Sequence, residues 1–352
     1  MSYINGKAAI NLEFPDIIPR TEYSAEFHWD LVNRVVGTSI SEQSSPEEQQ
    51  KATSAFVKAW DYGIYWNIYM HNQHFGDMYT HMGHASYSSG GSDYSNKVYS
   101  PFEDLEDVLA FDPVSAYGVP DPKEAAQIFI DNYALQQKLF PDAVNMTGTY
   151  VTCMSGLIEI FGWDMLLMSA GYDPDAFGAV ANRYADWMIP YFEALANAKI
   201  PVVMVHDDIV WTEGPFISKD WYRQYIFPNY KRFFAPLIEA GSKILYTSDG
   251  NYNEFIDDIA DCRVNGFVME PLTDMAAIAE RYGKTHVIVG NADTRVLLQG
   301  SREDIYAEVK RCMDIGRSCP GFIMAVGNHI PANTPVDNAL YYNECYEKLR
   351  KR

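Results

Sequence analysis

The chain has 352 residues, 47% of them hydrophobic, with 27 basic against 47 acidic residues and a formal net charge of −20. That length can bury a large core and fits one α/β barrel of about 250 residues with insertions. The charge argues against nucleic acid and anionic membrane surfaces as partners, because phosphate binding depends on clustered Lys and Arg.

The opening stretch, MSYINGKAAINLEF, shows no basic segment followed by an apolar one. No apolar run reaches the roughly 18 residues of a membrane span, so a cytoplasmic chain is expected. Residues 1–28 carry no clear periodicity, and Pro19 to Ser24 reads as an entry strand with Arg20 and Glu22 at its mouth. Trp29 to Val36 reads as a short helix, and Ser45-Pro46-Glu47-Glu48 starts another that runs to about Trp60. Tyr62 to Met70 is β-rich and aromatic. His71 to Tyr99 then breaks every period, with His71, His74, His81 and His84 interleaved with Phe75, Tyr79, Tyr87 and Tyr94. A segment of this kind reads as a long binding loop rather than a disordered insertion, because disordered stretches are poor in aromatics.

Downstream the pattern becomes regular. A short acidic helix is expected over Pro101 to Asp112, a longer one from Asp121 to about Phe140, and a strand over Ala143 to Val151. Helices follow over Met154 to Ala170 and Asp173 to Asn197. Ser218 to Ala240 is helical but carries Pro228 and Pro236, which predict a break. Asn253 and Asp274 are placed as helix caps, and Ser301-x-x-Asp304 as a capping box. The last helix is expected from about Asp337 to Leu349. Between these helices lie five apolar runs: Pro201 to Val205, Lys243 to Tyr246, Gly266 to Met269, His286 to Val289 and Phe322 to Val326. Each empties into a polar cluster. This is the alternation of a parallel barrel with its chemistry at the C-terminal strand ends. No repeat, low-complexity tract or linker interrupts it. The expected architecture is a single (β/α)8 TIM barrel over residues 1–352, with an N-terminal extension and an insertion loop near 71–99.

In such a barrel the residues just past neighbouring strands meet in one cavity. That would gather His206, Asp207, Asp208, Thr247, Asp249, Glu270, Asn291, Asp293, Asn328 and His329. Carboxylates and imidazoles in one mouth serve either as ligands to a metal such as zinc or as general acids and bases. Glu308, 21 residues before His329, is a further metal-ligand candidate but falls mid-helix. Cys153, Cys262, Cys312, Cys319 and Cys345 show no C-x-x-C spacing, the pattern of reduced thiols rather than a disulfide framework. No glycine-rich phosphate loop is present.

The stretches DDIVWTEGPFIS (207–218), YRQYIFPNYKRFF (222–234), GNADTRVLLQGSREDIYAEV (290–309) and GNHIPANTPVDN (327–338) resemble the uroporphyrinogen decarboxylase superfamily. The resemblance implies a (β/α)8 barrel. The decarboxylases of that family carry an Arg-Gln-Ala-Gly-Arg segment that holds the substrate's carboxylates, whereas this chain reads Pro19-Arg20-Thr21-Glu22 near the corresponding place. The other branch contains methyltransferases that exchange a methyl group with the cobalt of a separate corrinoid protein. Its thiol-methylating members bind zinc through a His-x-Cys and a later Cys, where this chain has Thr247-Ser248-Asp249 and Gly327-Asn328-His329. The resemblance therefore implies a corrinoid-dependent methyltransferase with an oxygen and nitrogen zinc site, suited to a methoxylated aromatic donor (O-demethylation). Its cobalamin would sit on a partner corrinoid protein, because no Asp-x-His-x-x-Gly motif is present here.

On this reading His206, Asp208 and His329 are the catalytic candidates, and Asp249, Asp293 and His329 the metal ligands. Asn291 and Asn328 are cofactor contacts, while His84, Tyr87, Asp207, Trp211 and Tyr246 contact the small-molecule donor. Two other readings stay open. One is a lyase of the decarboxylase kind acting on another carboxylic acid, and the other is a non-catalytic tetrapyrrole- or corrinoid-binding barrel.

Overall fold

The computed structural model describes residues 2–80 and 99–352. Its strands are β1 (Ile64–Tyr65), β2 (Val144–Asn145), β3 (Thr147–Thr149), β4 (Val202–His206), β5 (Val210–Trp211), β6 (Gly214–Pro215), β7 (Lys243–Ser248), β8 (Gly266–Met269), β9 (Val287–Val289) and β10 (Phe322–Ile323). The order β10-β9-β8-β7-β4-β3 forms one sheet whose neighbours all run parallel. β2 and β3 make one stave interrupted at Met146, and β1 pairs with β2 in parallel. Arg20 closes the ring, bridging in parallel to Tyr62 on one side and Met324 on the other. Eight staves thus surround one axis, and the fold is a (β/α)8 barrel. The five downstream apolar runs are its last five staves. Val202 to Val205 are all buried, as expected for a strand covered on both faces.

The helix ends follow local chemistry. Ser45 and Glu48 form a reciprocal capping box, as do Ser301 and Asp304, and Asp121 and Asp274 cap the helices that follow them. The segment around Pro228 divides into Lys219–Tyr225 and Phe227–Glu239, because a residue without an N–H is tolerated in a first turn. Pro236 nevertheless remains inside the second helix. Asn253 is not the helix cap its position suggests. It opens a 3-10 turn before Ile256–Asp261, and its side chain accepts instead from the Asp274 N–H at 2.7 Å.

A helix over Ser2–Ile10 covers the end of the barrel where the strands begin. It has no apolar period for a sequence reading to find, since its buried residues are Gly6, Ala9 and Ile10. Gly6 is required by contact: a Cβ there would lie 2.0 Å from the Gly63 carbonyl oxygen. At the other end, residues 71–80 are anchored. Phe75 is fully buried and stacks on Tyr117 at 5.2 Å, while Thr80 donates to the Glu159 carbonyl. His81, His84, Tyr87 and Tyr94 lie outside the described residues. All five cysteines are buried and free of disulfides. No helix among the described residues is long and apolar enough to cross a membrane.

Arg20 corrects its expected place at the mouth. It is fully buried and faces the helical layer, pairing with Glu22 and donating to the Asn343 side chain. Its guanidinium lies 4.5 Å from the Trp60 ring centre and 4.6 Å from that of Tyr346. Glu22 also receives Tyr342 Oη at 2.8 Å and the Val326 N–H at 3.0 Å, so the buried charges are paired and hydrogen-bonded. This arginine braces the first stave and is not available to hold a substrate carboxylate.

Candidate functional site

The strand ends open into a cavity of about 300 Å3. Its wall comes from most of the staves: Tyr23, Ser24 and Glu26 after the first, Tyr65 at the end of β1 with Trp66 and Asn67 after it, and Tyr150 after β3. His206, Thr247, Asp249, Asn328 and His329 complete it from the later staves. Among the described residues the wall contains no Lys or Arg, whereas Glu22, Glu26 and Asp249 supply carboxyl groups. Rings dominate the rest. Tyr23 meets Trp66 edge-on at 4.8 Å, and Tyr150 stacks between His206 (3.7 Å) and His71 (5.3 Å).

The chemical centre is His206, Asp208 and Asp249, whose ligand-type atoms all lie within 4.8 Å of one another. β4 ends on His206, so the imidazole projects into the mouth, with Nε2 3.2 Å from Asp208 Oδ1. Its Nδ1 lies 3.2 Å from the Tyr150 carbonyl oxygen, which fixes the ring plane. Burial works against the imidazolium, but Asp208 and then Asp249 outweigh it and raise the pKa to about 9. The exposed surface of Asp249 faces this cavity. Its surroundings of protein, together with the Asp208 and Glu270 carboxylates, push its pKa well above the usual carboxylate range. The Asp249 N–H donates to Asp208 Oδ1 at 3.0 Å, which ties the two strand ends together. Glu270 receives the Gly250 N–H at 2.6 Å and the Asn328 amide, so it buttresses this turn.

The other expected site residues divide. Asn328 and His329 line the cavity, and His329 Nδ1 is hydrogen-bonded to the Ser24 hydroxyl. Asp293 does not join Asp249 and His329 as a metal ligand. It caps the helix Thr294–Gln299 and is held in a bidentate pair by Arg295, with Nε–Oδ1 at 3.0 Å and Nη2–Oδ2 at 2.7 Å. Glu308 accepts from the Asp293 N–H and pairs with Arg311, again outside the cluster. Asn291 is buried with its amide donating to the Glu270 and Thr273 carbonyls and accepting from Arg311, which leaves nothing to offer a cofactor.

Asp207 is not a substrate contact. It points to the helical layer and accepts from the N–H groups of Cys153, Met154 and Ser155 and from Tyr230 Oη. Tyr246 is fully buried and donates to the Asp207 carbonyl at 3.1 Å. Trp211 sits on the β5–β6 hairpin against Trp163 and Phe216, each at 5.3 Å, away from the cavity wall. His84 and Tyr87 lie outside the described residues.

Tyr23, Glu26, Trp66, Asn67, His71 and Tyr150 were not singled out from the sequence as site residues. The signal was available: Tyr23 and Tyr150 close the strand candidates 19–24 and 143–151, by the same rule that selected His206. Glu26 carries a pH signature. It is 3% exposed, behind Tyr62 Oη at 3.5 Å, and burial raises its carboxyl to about 7 from the ordinary 4.5. The folded chain keeps this proton where the unfolded chain has released it, so the stability it contributes is full below pH 4.5 and is lost as pH rises through 7. Glu26→Gln is expected to stabilise the protein by on the order of 3 kcal/mol at pH 8 and by almost nothing at pH 4.5, read by denaturant unfolding. Equal effects at both pH values would refute this account.

The sequence family described as "Uroporphyrinogen decarboxylase (URO-D)" matches residues 96–349. The uroporphyrinogen decarboxylase of Syntrophotalea carbinolica is 26% identical over 176 residues, covering 50% of this chain and 50% of that one. That of Geobacter sulfurreducens is 21% identical over 240 residues, covering 66% and 69%. The match to the S. carbinolica enzyme and to that of Pelobacter propionicus spans about half the length of each. Among solved structures, a methyltransferase from Methanosarcina mazei superposes with a TM-score of 0.64 at 18% identity, over 99% of this chain and 98% of its own. The family match covers most of the barrel, including every stave from β2 onward, and on that basis the chain belongs to the uroporphyrinogen decarboxylase family.

Proposed function

We propose that this protein is a methyltransferase that takes the methyl group of a small methoxylated aromatic donor and delivers it to a corrinoid carried by a partner protein. The observation that carries the reading is the cavity wall: aromatic, without Lys or Arg, and centred on His206, Asp208 and Asp249. Decarboxylation of a substrate bearing many carboxylates needs convergent cations, and Arg20 is spent on Glu22. The resemblance along the whole chain to a structure described as a methyltransferase supports the same choice. Zinc suits the donor set of one imidazole nitrogen and two carboxylates, and His206, Asp208 and Asp249 would hold it. When bound, it would supply Lewis-acid polarisation of the ether oxygen.

The chain's own residues have separate tasks. Trp66, Tyr23 and Tyr150 hold the aryl ring, and the wall keeps water from the reacting ether. With no metal on these three side chains, the Asp249 carboxyl, raised by the surrounding protein and by Asp208 and Glu270, would instead hydrogen-bond the leaving oxygen and give it a proton, while Asp208 keeps His206 oriented and balances its charge.

The test is direct. Incubation of the protein with a methoxyarene and cob(I)alamin is expected to release the phenol, followed by chromatography. Conversion of uroporphyrinogen with carbon dioxide release, and no phenol from any methoxyarene, would replace this reading with the lyase that the named relatives favour.

A further inference from the structure

The end of the barrel where the strands begin holds a second cavity, of about 360 Å3. The helix Ser2–Ile10 forms one side of it with Tyr3 and Lys7, and the helix Pro122–Leu139 another with Tyr133. Its floor is made of strand starts: Val144 of β2, Val202 of β4 and Lys243 of β7. β7 is 6 residues long and leads at its far end to Asp249, so roughly 20 Å of extended chain separates this cavity from the mouth.

Its charge runs against that of the chain. Lys7 and Lys243 are the only charged residues of the wall, and among the described residues neither is in an ion pair. Lys7 is exposed; Lys243 is half-buried, and its ammonium is not sealed from solvent. An adjoining cavity shares Pro141 and Ala143 with this one and adds Lys58 and Lys138 against Asp142 alone. Four lysines thus stand against one carboxylate, in a chain with 27 basic and 47 acidic residues. A concave wall of one sign concentrates ions of the other. Between the two lysines the wall is apolar or aromatic, and the Tyr3 ring, 44% exposed, is open to a ligand. Ammonium groups bind carboxylate or phosphate as point charges, and rings and aliphatic side chains take an apolar body.

We propose that this cavity binds a small organic anion, with a carboxylate or phosphate group on Lys7 and Lys243 and an apolar body against Tyr3, Tyr133 and Val144. No residue of the mouth takes part, so the site stands or falls apart from the methyl-transfer reading.

Calorimetric titration of the full chain at about 0.15 M ionic strength tests it. The probes are benzoate, phenyl phosphate, benzyl alcohol and inorganic phosphate. Benzoate or phenyl phosphate is expected to bind about 10-fold or more tightly than benzyl alcohol, which lacks the charge, and than inorganic phosphate, which lacks the ring. Whichever of the two binds more tightly identifies the acidic group. Lys7→Met and Lys243→Met are each expected to weaken that anion by about 10-fold, while His206→Ala, at the mouth, leaves its affinity unchanged. Far-ultraviolet circular dichroism and melting temperature check that each variant is folded, and Lys7→Gln or Lys243→Gln replaces one that is not. The proposal is overturned if neither organic anion binds more tightly than benzyl alcohol, or if folded lysine variants bind like the wild type. Loss of anion binding in His206→Ala with the lysine variants unaffected would put the anion in the mouth and overturn it equally.

Discussion

Asp249→Ala is expected to abolish stoichiometric zinc binding, and His206→Ala to do the same, whereas Asp293→Ala retains it. The first two remove donors from a group whose atoms lie within 4.8 Å of one another. Asp293 is already engaged by Arg295 and by the helix it caps, so its loss touches a helix end and not the centre. Even outer-shell partners of a metal are worth about 10- to 100-fold in affinity, and a lost ligand in a three-residue site should cost at least about 100-fold. Elemental analysis of protein purified with excess zinc, followed by competition with a chelator, reads both the stoichiometry and the loss. Zinc lost from both Asp249→Ala and Asp293→Ala but kept by His206→Ala would instead restore the ligand set Asp249, Asp293 and His329 suggested by the sequence. A wild type that takes up no metal would leave the three side chains as an acid group alone.

The second large effect is expected on stability, from a residue that sits between two members of the centre. Asp207 is fully buried, and burial works against its charge. Four donors oppose that penalty: Ser155 N–H at 2.7 Å, Cys153 and Met154 N–H at 3.1 Å each, and Tyr230 Oη. The three amides form the start of the helix Met154–Tyr172, where a negative charge is also favoured by the helix dipole. Asp207→Ala would strand those amides and the tyrosine hydroxyl in the interior. The expected cost is about 4 kcal/mol, roughly 5 °C in melting temperature for a chain of this length, with metal binding weakened because His206 and Asp208 share its strand end. A variant that melts like the wild type while losing only donor affinity would show that Asp207 contacts the substrate after all.

Those two cases mark how far a linear reading reaches. The runs 201–205, 243–246 and 266–269 became staves because a buried parallel strand needs only a short, continuous apolar stretch, which is a local property. Ser45, Asp121, Asp274 and Ser301 became caps because an exposed helix start is satisfied by the side chain next to it. The convergence of His206, Asp208, Asp249, Asn328 and His329 on one mouth followed from barrel topology, and the structure places them there.

What no local pattern decides is the direction in which each strand-end side chain points. His206 and Asp208 face the cavity while Asp207 between them faces the helices, because alternate residues of a strand project to opposite sides. Tyr246 and Thr247 divide in the same way, and Asn291 and Asp293 are drawn off by Arg311 and Arg295, charges whose approach depends on helix packing. The first three staves are legible as the strand candidates 19–24, 62–70 and 143–151, but their strand-end residues are aromatic or amide side chains, which a reading that looks for imidazoles and carboxylates passes over. Sequence alone determined the barrel, most of its helix starts and the polar residues of the later staves that could meet at the mouth. Only the closed sheet, by assigning inside and outside to each position, decided that Tyr23, Asn67, Tyr150, His206 and Asp249 line the cavity, with Asp208 beside the last two, and that Arg20, Asp207 and Asn291 face away from it.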